Sequence, residues 1–158
     1  MMNSTTKASI EFQQAVFLDE SALMAYMNPD DPNYFKARSF IMDMEDLDRP
    51  FISTSHLIFD LHEWLRDNHG YTHAEFFLDV IERSVRQGKL TLISGNSELE
   101  QEAKNFLQQC PEFRFSLREA TTAVVMLTYQ IRRIFTFNRS YLRLPTLNQD
   151  IRVIPTAY

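Results

Sequence analysis

Ala15-Val16-Phe17-Leu18-Asp19-Glu20-Ser21-Ala22-Leu23-Met24-Ala25-Tyr26-Met27 is the stretch whose reading decides the fold. An apolar run ends abruptly on a carboxylate and a helical apolar pattern follows at once, so the stretch reads as a β-strand that delivers Asp19 to its tip. In open α/β sheets ligands bind in the crevice beyond the carboxyl ends of the strands, which makes an acid at that point a site candidate. A solvated turn acid or a helix N-cap is the plainer account of the same residue. What separates the two is whether other carboxylates converge on Asp19.

The chain of 158 residues has the size of one domain, and its 44% hydrophobic content is enough to bury a core. The expected organisation is an N-terminal tail over 1–14 and a single domain over 15–158. Three glycines and six prolines leave little room for a loop-dominated architecture. A single cysteine, Cys110, excludes a disulfide framework within the chain and suits a reducing compartment. The polar start, Met1 to Gln14, lacks the apolar core of a secretory signal, and no run approaches the roughly 18 apolar residues of a membrane span. A cytoplasmic protein with no membrane partner is the expectation.

A net charge of −5 argues against coating nucleic acid through bulk charge. The charge is unevenly spread, however. From Arg118 onward there are six arginines and two acids, Glu119 and Asp150, so the last quarter is +4 and the remainder −9. Guanidinium groups suit phosphate because they offer a planar two-pronged donor. The same arginines are equally suited to pairing with acids from the first part of the chain.

Further along, Asn28-Pro29-Asp30-Asp31-Pro32 is a turn signal, and a helix is expected from about Asn33 to Leu47. Phe51-Ile52-Ser53-Thr54 is short and β-prone and leads directly into a helix from His56 to about Asn68. On that helix Leu57, Ile58, Leu61, Trp64 and Leu65 form one stripe, and Asp60 falls at its edge. An acid bordering a buried stripe is held by packing without being fully desolvated, as a metal-binding or catalytic carboxylate must be. The ordinary alternative is a boundary acid in water. Thr72-His73-Ala74-Glu75 and Ser97-Glu98-Leu99-Glu100 each have the form of a capping box opening a helix, the first carrying Phe76, Phe77, Val80, Ile81 and Val85 as its apolar face. Lys89 to Ser94 reads as a strand between them.

Ser116 and Glu119 form a third S-x-x-E box, so Glu119 either caps its helix or, lying beside the Ala120, Ala123, Val124, Leu127 stripe, faces a site. Ile134-Phe135-Thr136-Phe137 is a strand of the kind buried on both faces, ending in Asn138-Arg139, and a last strand runs from Ile151 to Ile154. No histidine pair has the spacing of a zinc-peptidase helix. Alternating strands and helices predict a three-layer α/β/α fold with a central, mainly parallel sheet of about five strands. Asp19 and Asn138 then stand at strand tips on one edge, and Asp60 and Glu119 lie in the first turns of helices that begin at that edge. Acids gathered there repel one another unless a cation is bound, which implies Mg²⁺ or Mn²⁺.

Val16-Phe17-Leu18-Asp19-Glu20-Ser21-Ala22-Leu23, Asn28-Pro29-Asp30-Asp31-Pro32, Ile52 to Asp60, Leu117-Arg118-Glu119-Ala120-Thr121-Thr122-Ala123 and Ile131 to Arg139, in this order and spacing, resemble a PIN domain over about Val16 to Pro155. The resemblance implies a metal-dependent ribonuclease fold, prominent among toxins of toxin–antitoxin pairs. It matches Asp19 to the family's Asp after the first strand, Asp60 to the acid, usually Glu, within the helix that follows the second strand, and Glu119 to the Asp opening a later helix. Thr136-Phe137-Asn138 stands where the family has Thr-x-Asp, so the last acid is replaced by an amide.

The resemblance thus implies hydrolysis of RNA with Asp19, Asp60 and Glu119 holding Mg²⁺ or Mn²⁺ and Asn138 as the fourth site residue. Ser21 and Thr136 would orient ligands, and Arg139, Arg118 and Arg143 would grip phosphate. A small antitoxin protein and a second copy of the chain are the protein partners it implies. The alternative raised by Asn138 is a weakened or inactive PIN-like module that binds RNA or protein. A haloacid-dehalogenase-type phosphatase also begins with an Asp at a strand tip but needs a second Asp two residues on, where Ser21 stands.

Overall fold

A computed structural model of the chain describes residues 12–155. Its strands are β1 (Val16–Leu18), β2 (Phe51–Thr54), β3 (Leu90–Ile93), β4 (Arg133–Phe135) and β5 (Arg152–Ile154), which form a five-stranded sheet in the order β3-β2-β1-β4-β5. β2 pairs in parallel with β3, Phe51 opposite Leu90, and β4 in parallel with β5, Arg133 opposite Arg152. Parallel neighbours require a crossover between them, and helices supply it, so the expected α/β architecture with a mainly parallel sheet is the one observed. The chain divides into two compact units, one spanning Leu18–Ser94 and the other built from the residues on either side of it. Of the expected tail over 1–14, residues 1–11 lie outside the described residues, and Phe12 and Gln13 are helical.

The unit Leu18–Ser94 contains α1 (Glu20–Met27), α2 (Tyr34–Asp46), α3 (Ser55–His69) and α4 (Tyr71–Arg86). Phe51, Ile52, Ser53 and Thr54 are all buried, which is why β2 carries no polar alternation. Ser53 meets the cost of burying its hydroxyl by donating to the Leu18 carbonyl at 2.9 Å. Thr54 is both the last residue of β2 and the N-cap of α3, its Oγ1 accepting the Leu57 N–H. α3 and α4 meet at Gly70, whose φ of 93° lets the chain end one helix and start the next within a single residue.

Two of the expected capping boxes are displaced. Because α4 begins at Tyr71, Thr72 lies inside it and Gly70 is its cap, while Glu75 Oε1 lies 3.4 Å from His62 Nε2. The cap of α5 (Ser97–Gln109) is Asn96, which accepts the Leu99 N–H at 2.8 Å and so takes the place expected of Ser97. The buried face of α4 is also narrower than its apolar residues suggest. Ala74, Phe77 and Ile81 are buried, whereas Phe76, on the far side of the helix, and Val85, in its last turn, are exposed.

The other unit holds α5, a short 3-10 turn (Pro111–Phe113), α6 (Leu117–Tyr129), β4, a 3-10 segment (Arg139–Thr146) and β5. α6 is buried on most of its circumference, through Ala120, Thr122, Ala123, Val124, Val125 and Met126, whereas Leu127 of its expected stripe is exposed. The strand expected over Ile134–Phe137 ends at Phe135; Ile134, Phe135 and Thr136 are buried and Phe137 is half-buried. The acids Asp43, Glu45, Asp46 and Asp48 near the end of α2 are exposed, where water screens their unfavourable placement at a helix C-terminus. Among the described residues no helix is long and apolar enough to cross a membrane.

Phe77 is fully buried and Phe76 is 52% exposed, so the two neighbours separate core from surface. Phe77→Ala is expected to lower the free energy of unfolding by about 3–5 kcal/mol in urea titrations, and Phe76→Ala by about 0.5 kcal/mol.

Candidate active site

Asp19 follows β1 and caps α1. Its φ and ψ of −78° and 162° are those of extended backbone, and its carbonyl accepts the Leu23 N–H while Oδ2 accepts both the Ser21 N–H at 3.3 Å and the Ser21 hydroxyl at 2.7 Å. A carboxylate only 5% exposed is thus stabilised by the orphan amides at a helix start and by a hydroxyl two residues on. Cap and site candidate are therefore one residue, and Ser21 fixes the orientation of its carboxylate. In the same unit Asp60 is half-buried on α3 between the buried Leu57 and Leu61 and the half-buried Trp64, as the edge of an apolar stripe requires.

In the other unit the structure brings Glu119 and Asn138 into contact. Ser116 and Glu119 form the expected capping box on α6: the Glu119 N–H donates to Ser116 Oγ at 3.1 Å, and the Ser116 N–H donates to Glu119 Oε1 at 2.8 Å. The second carboxylate oxygen, Oε2, accepts the Asn138 amide Nδ2 at 2.7 Å. Asn138 is fixed from the other side as well. Its Oδ1 accepts the Ser140 N–H at 3.0 Å and its own N–H donates to Thr136 Oγ1 at 2.9 Å. A backbone N–H requires an oxygen and a carboxylate requires a donor, so the two ends of the amide are assigned without ambiguity. Thr136 is fully buried, and its N–H donates to the Ile154 carbonyl, which anchors this turn to β5.

These contacts set the ionisation of Glu119. Partial burial pushes its carboxyl up, but the Ser116 N–H and the side chains of Asn138, Ser140 and Ser116 together outweigh that cost and hold it below its ordinary value of 4.5. Asn138 therefore performs by hydrogen bonding what a cation performs by charge: it stabilises an ionised carboxylate where an Asp would repel it. The hydroxyl of Ser140 was not singled out from sequence. Its signal is Asn138-Arg139-Ser140, which repeats the Asp19-Glu20-Ser21 pattern of a side-chain oxygen capping the N–H two residues on.

The carboxylates of Asp19, Asp60 and Glu119 are hard oxygen donors of the type magnesium and manganese take. Asn138 gives its nitrogen to Glu119 and its oxygen to the Ser140 N–H. Among the described residues no three His, Cys, Asp or Glu side chains are gathered as a metal-holding group. The three expected phosphate-binding arginines, Arg118, Arg139 and Arg143, are all exposed, and Arg143 donates to the Glu112 carbonyl at 2.6 Å.

No family model matches the chain, and no curated protein matches it. Among solved structures it is similar to the crystal structure of Mycobacterium tuberculosis VapC20, described as a sarcin-ricin loop cleaving toxin. The two share 18% identity over 84% of this chain and 95% of that one, with a TM-score of 0.65. The chain thus has a PIN-like fold, as its sequence resemblance implied.

Because Glu119 is ionised more readily when folded than unfolded, its contribution to stability is present above pH 4.5 and is lost as the pH falls through the lowered folded value. Replacing its amide partner by a carboxylate reverses the sign. Asn138→Asp is expected to destabilise the chain by about 1 kcal/mol near neutral pH, a small effect because the pair is half-exposed. Urea titrations should show the gap to wild type closing in acid, where one carboxyl protonates, and narrowing when Mg²⁺ is added.

Proposed function

We propose that this PIN-like chain is a divalent-metal-dependent ribonuclease that hydrolyses phosphodiester bonds in RNA, acting as the toxin of a toxin–antitoxin pair. The observation that carries the reading is the fold shared with a toxin that cleaves the sarcin-ricin loop. Its local support is the buried, capped Asp19, the half-buried Asp60 and the ionised Glu119, each in the position that the PIN resemblance assigns to an acid. In this reading Asp19, Asp60 and Glu119 are the candidate oxygen ligands of Mg²⁺ or Mn²⁺, which when bound would supply an activated water and offset the charge that develops on phosphorus. Ser21 keeps the Asp19 carboxylate in one orientation through the 2.7 Å hydroxyl contact. Asn138, with Thr136 behind it, keeps Glu119 oriented and ionised. The arginines at 118, 139 and 143 bind phosphate and fix the register of the RNA. A small antitoxin protein and a second copy of the chain are its protein partners in this reading.

One contact favours a second reading, a PIN-like module that binds RNA or protein with cleavage weakened. The Asn138 amide occupies Glu119 Oε2 at 2.7 Å and carries no charge for a cation. The two readings diverge in what the fourth position limits: under the second, restoring a carboxylate at 138 raises cleavage, whereas under the first wild type already cleaves.

Asp19→Asn separates chemistry from folding, since Asn caps helices about as well as Asp. The variant is expected to lose manganese-dependent cleavage of single-stranded RNA by at least about a hundredfold while keeping its circular dichroism and urea midpoint. Calorimetric titration with Mn²⁺ should show one site in wild type and a weakened one in the variant. Cleavage undiminished in Asp19→Asn would overturn the assignment.

A further inference from the structure

We infer that Arg114, Arg139 and Arg143 line a phosphate-binding track for single-stranded RNA in which Arg114, outside every expected site position, is a principal contact. The inference rests on the ribonuclease reading for the identity of the ligand. An open depression of about 680 Å³ is bounded by Glu112, Phe113, Arg114, Arg139, Ser140, Leu142 and Arg143. Three guanidinium groups against one carboxylate give it a charge of +2 in a chain whose net charge is −5. The chain as a whole repels RNA, so attraction has to come from a local concentration of positive charge, and this depression is one.

The geometry suits a chain of nucleotides better than a single small anion. On the scale of about 30 Å³ for a water, the depression is far larger than one phosphate group fills. Phe113 and Leu142 add apolar wall beside the arginines, the combination that lets bases stack while guanidinium groups follow the backbone. The aromatic wall is rigid: Phe113 packs against Phe106 and Phe115, with ring centres 5.7 and 5.3 Å apart.

Arg114 is placed by backbone rather than by packing. Its φ and ψ of 55° and 34° are left-handed, and its N–H donates to the Pro111 carbonyl, closing the 3-10 turn. A residue with a Cβ is uncommon in that conformation, whose usual occupants are Gly and Asn. The Arg114 side chain is exposed and lines the depression. Arg143 is tethered by its bond to the Glu112 carbonyl, so its guanidinium loses less freedom when it meets phosphate. Ser140 ties the track to the site, since it lines the depression and its hydroxyl also bonds Glu119. RNA lying along the arginines therefore runs up to the carboxylate that the ribonuclease reading makes a metal ligand.

The test is fluorescence anisotropy of a labelled single-stranded RNA across a salt series. The non-cleaving Asp19→Asn chain is compared with the same chain carrying Arg114→Asn and Arg143→Ala. Asn is the neutral side chain best suited to the left-handed position, and circular dichroism checks that the fold is kept. Affinity is expected to fall at least about tenfold, and the dependence of log K on log salt to become shallower by about 1.4 for two lost phosphate contacts. Arg83→Ala with Arg86→Ala, an equal change of charge on α4, should leave affinity within about twofold, because those groups do not line the depression. Equal affinity and slope in the Arg114/Arg143 variant, or an equal loss in the Arg83/Arg86 variant, overturns the track. A parallel cleavage assay keeps the two readings apart. Wild type that binds RNA through these arginines without cutting removes the nuclease and keeps the track; wild type that cuts while the arginine variant binds unchanged removes the track and keeps the nuclease.

Discussion

Helical turns here follow strands with little or no linker, and at each junction one polar side chain has to satisfy the amides that begin the new turn. Asp19 after β1, Thr54 at the end of β2 and Asn138 after β4 all do so through a side-chain oxygen. Helix starts leave N–H groups without intrahelical partners, and a cap in a buried position has to be polar and correctly aimed. The same requirement that lets the chain turn therefore installs polar side chains at strand ends, where α/β sheets bind ligands. Helix cap and candidate site residue thus coincide at Asp19.

Glu119 and Asn138 show how far that economy extends. Glu119 closes a capping box with one carboxylate oxygen and receives the Asn138 amide with the other, so a residue needed to start α6 is also oriented and kept ionised. An aspartate at 138 could not serve this way without a cation between the two carboxylates, because neighbouring like charges raise each other's pKa. The amide gives the pair an arrangement that is stable on its own. It also leaves the pair with one negative charge where two carboxylates would carry two.

The basic depression adds a second physical element to that picture. Arg114 and Arg143 sit far apart in sequence from the acids at 19 and 60, and their positive charge is local within an acidic chain. Ser140 joins the depression to the Glu119 pair, since it borders the one and bonds the other.

The sequence by itself determined the alternation of strands and helices, the placement of Asp19 after the first strand, Asp60 at the edge of the α3 stripe and the Ser116–Glu119 box. Each is a short-range pattern, fixed by spacing of 2 or 3.6 residues and by caps within one turn. It misplaced the caps of α4 and α5 because several polar residues near a helix start compete as caps, and the choice depends on where the preceding segment ends. Gly70 supplied a break that made Thr72 unnecessary, and Asn96 reached the Leu99 N–H ahead of Ser97. It also counted Phe76 and Val85 as core, since apolarity alone does not say which residues around and along a helix meet its neighbours. Only the tertiary structure decided that Asn138 turns its nitrogen to Glu119, that the Ser140 hydroxyl also reaches Glu119, and that Arg114 joins Arg139 and Arg143 around one depression. Those are contacts between residues separated along the chain, and no local periodicity encodes which side chain the fold will bring to which partner.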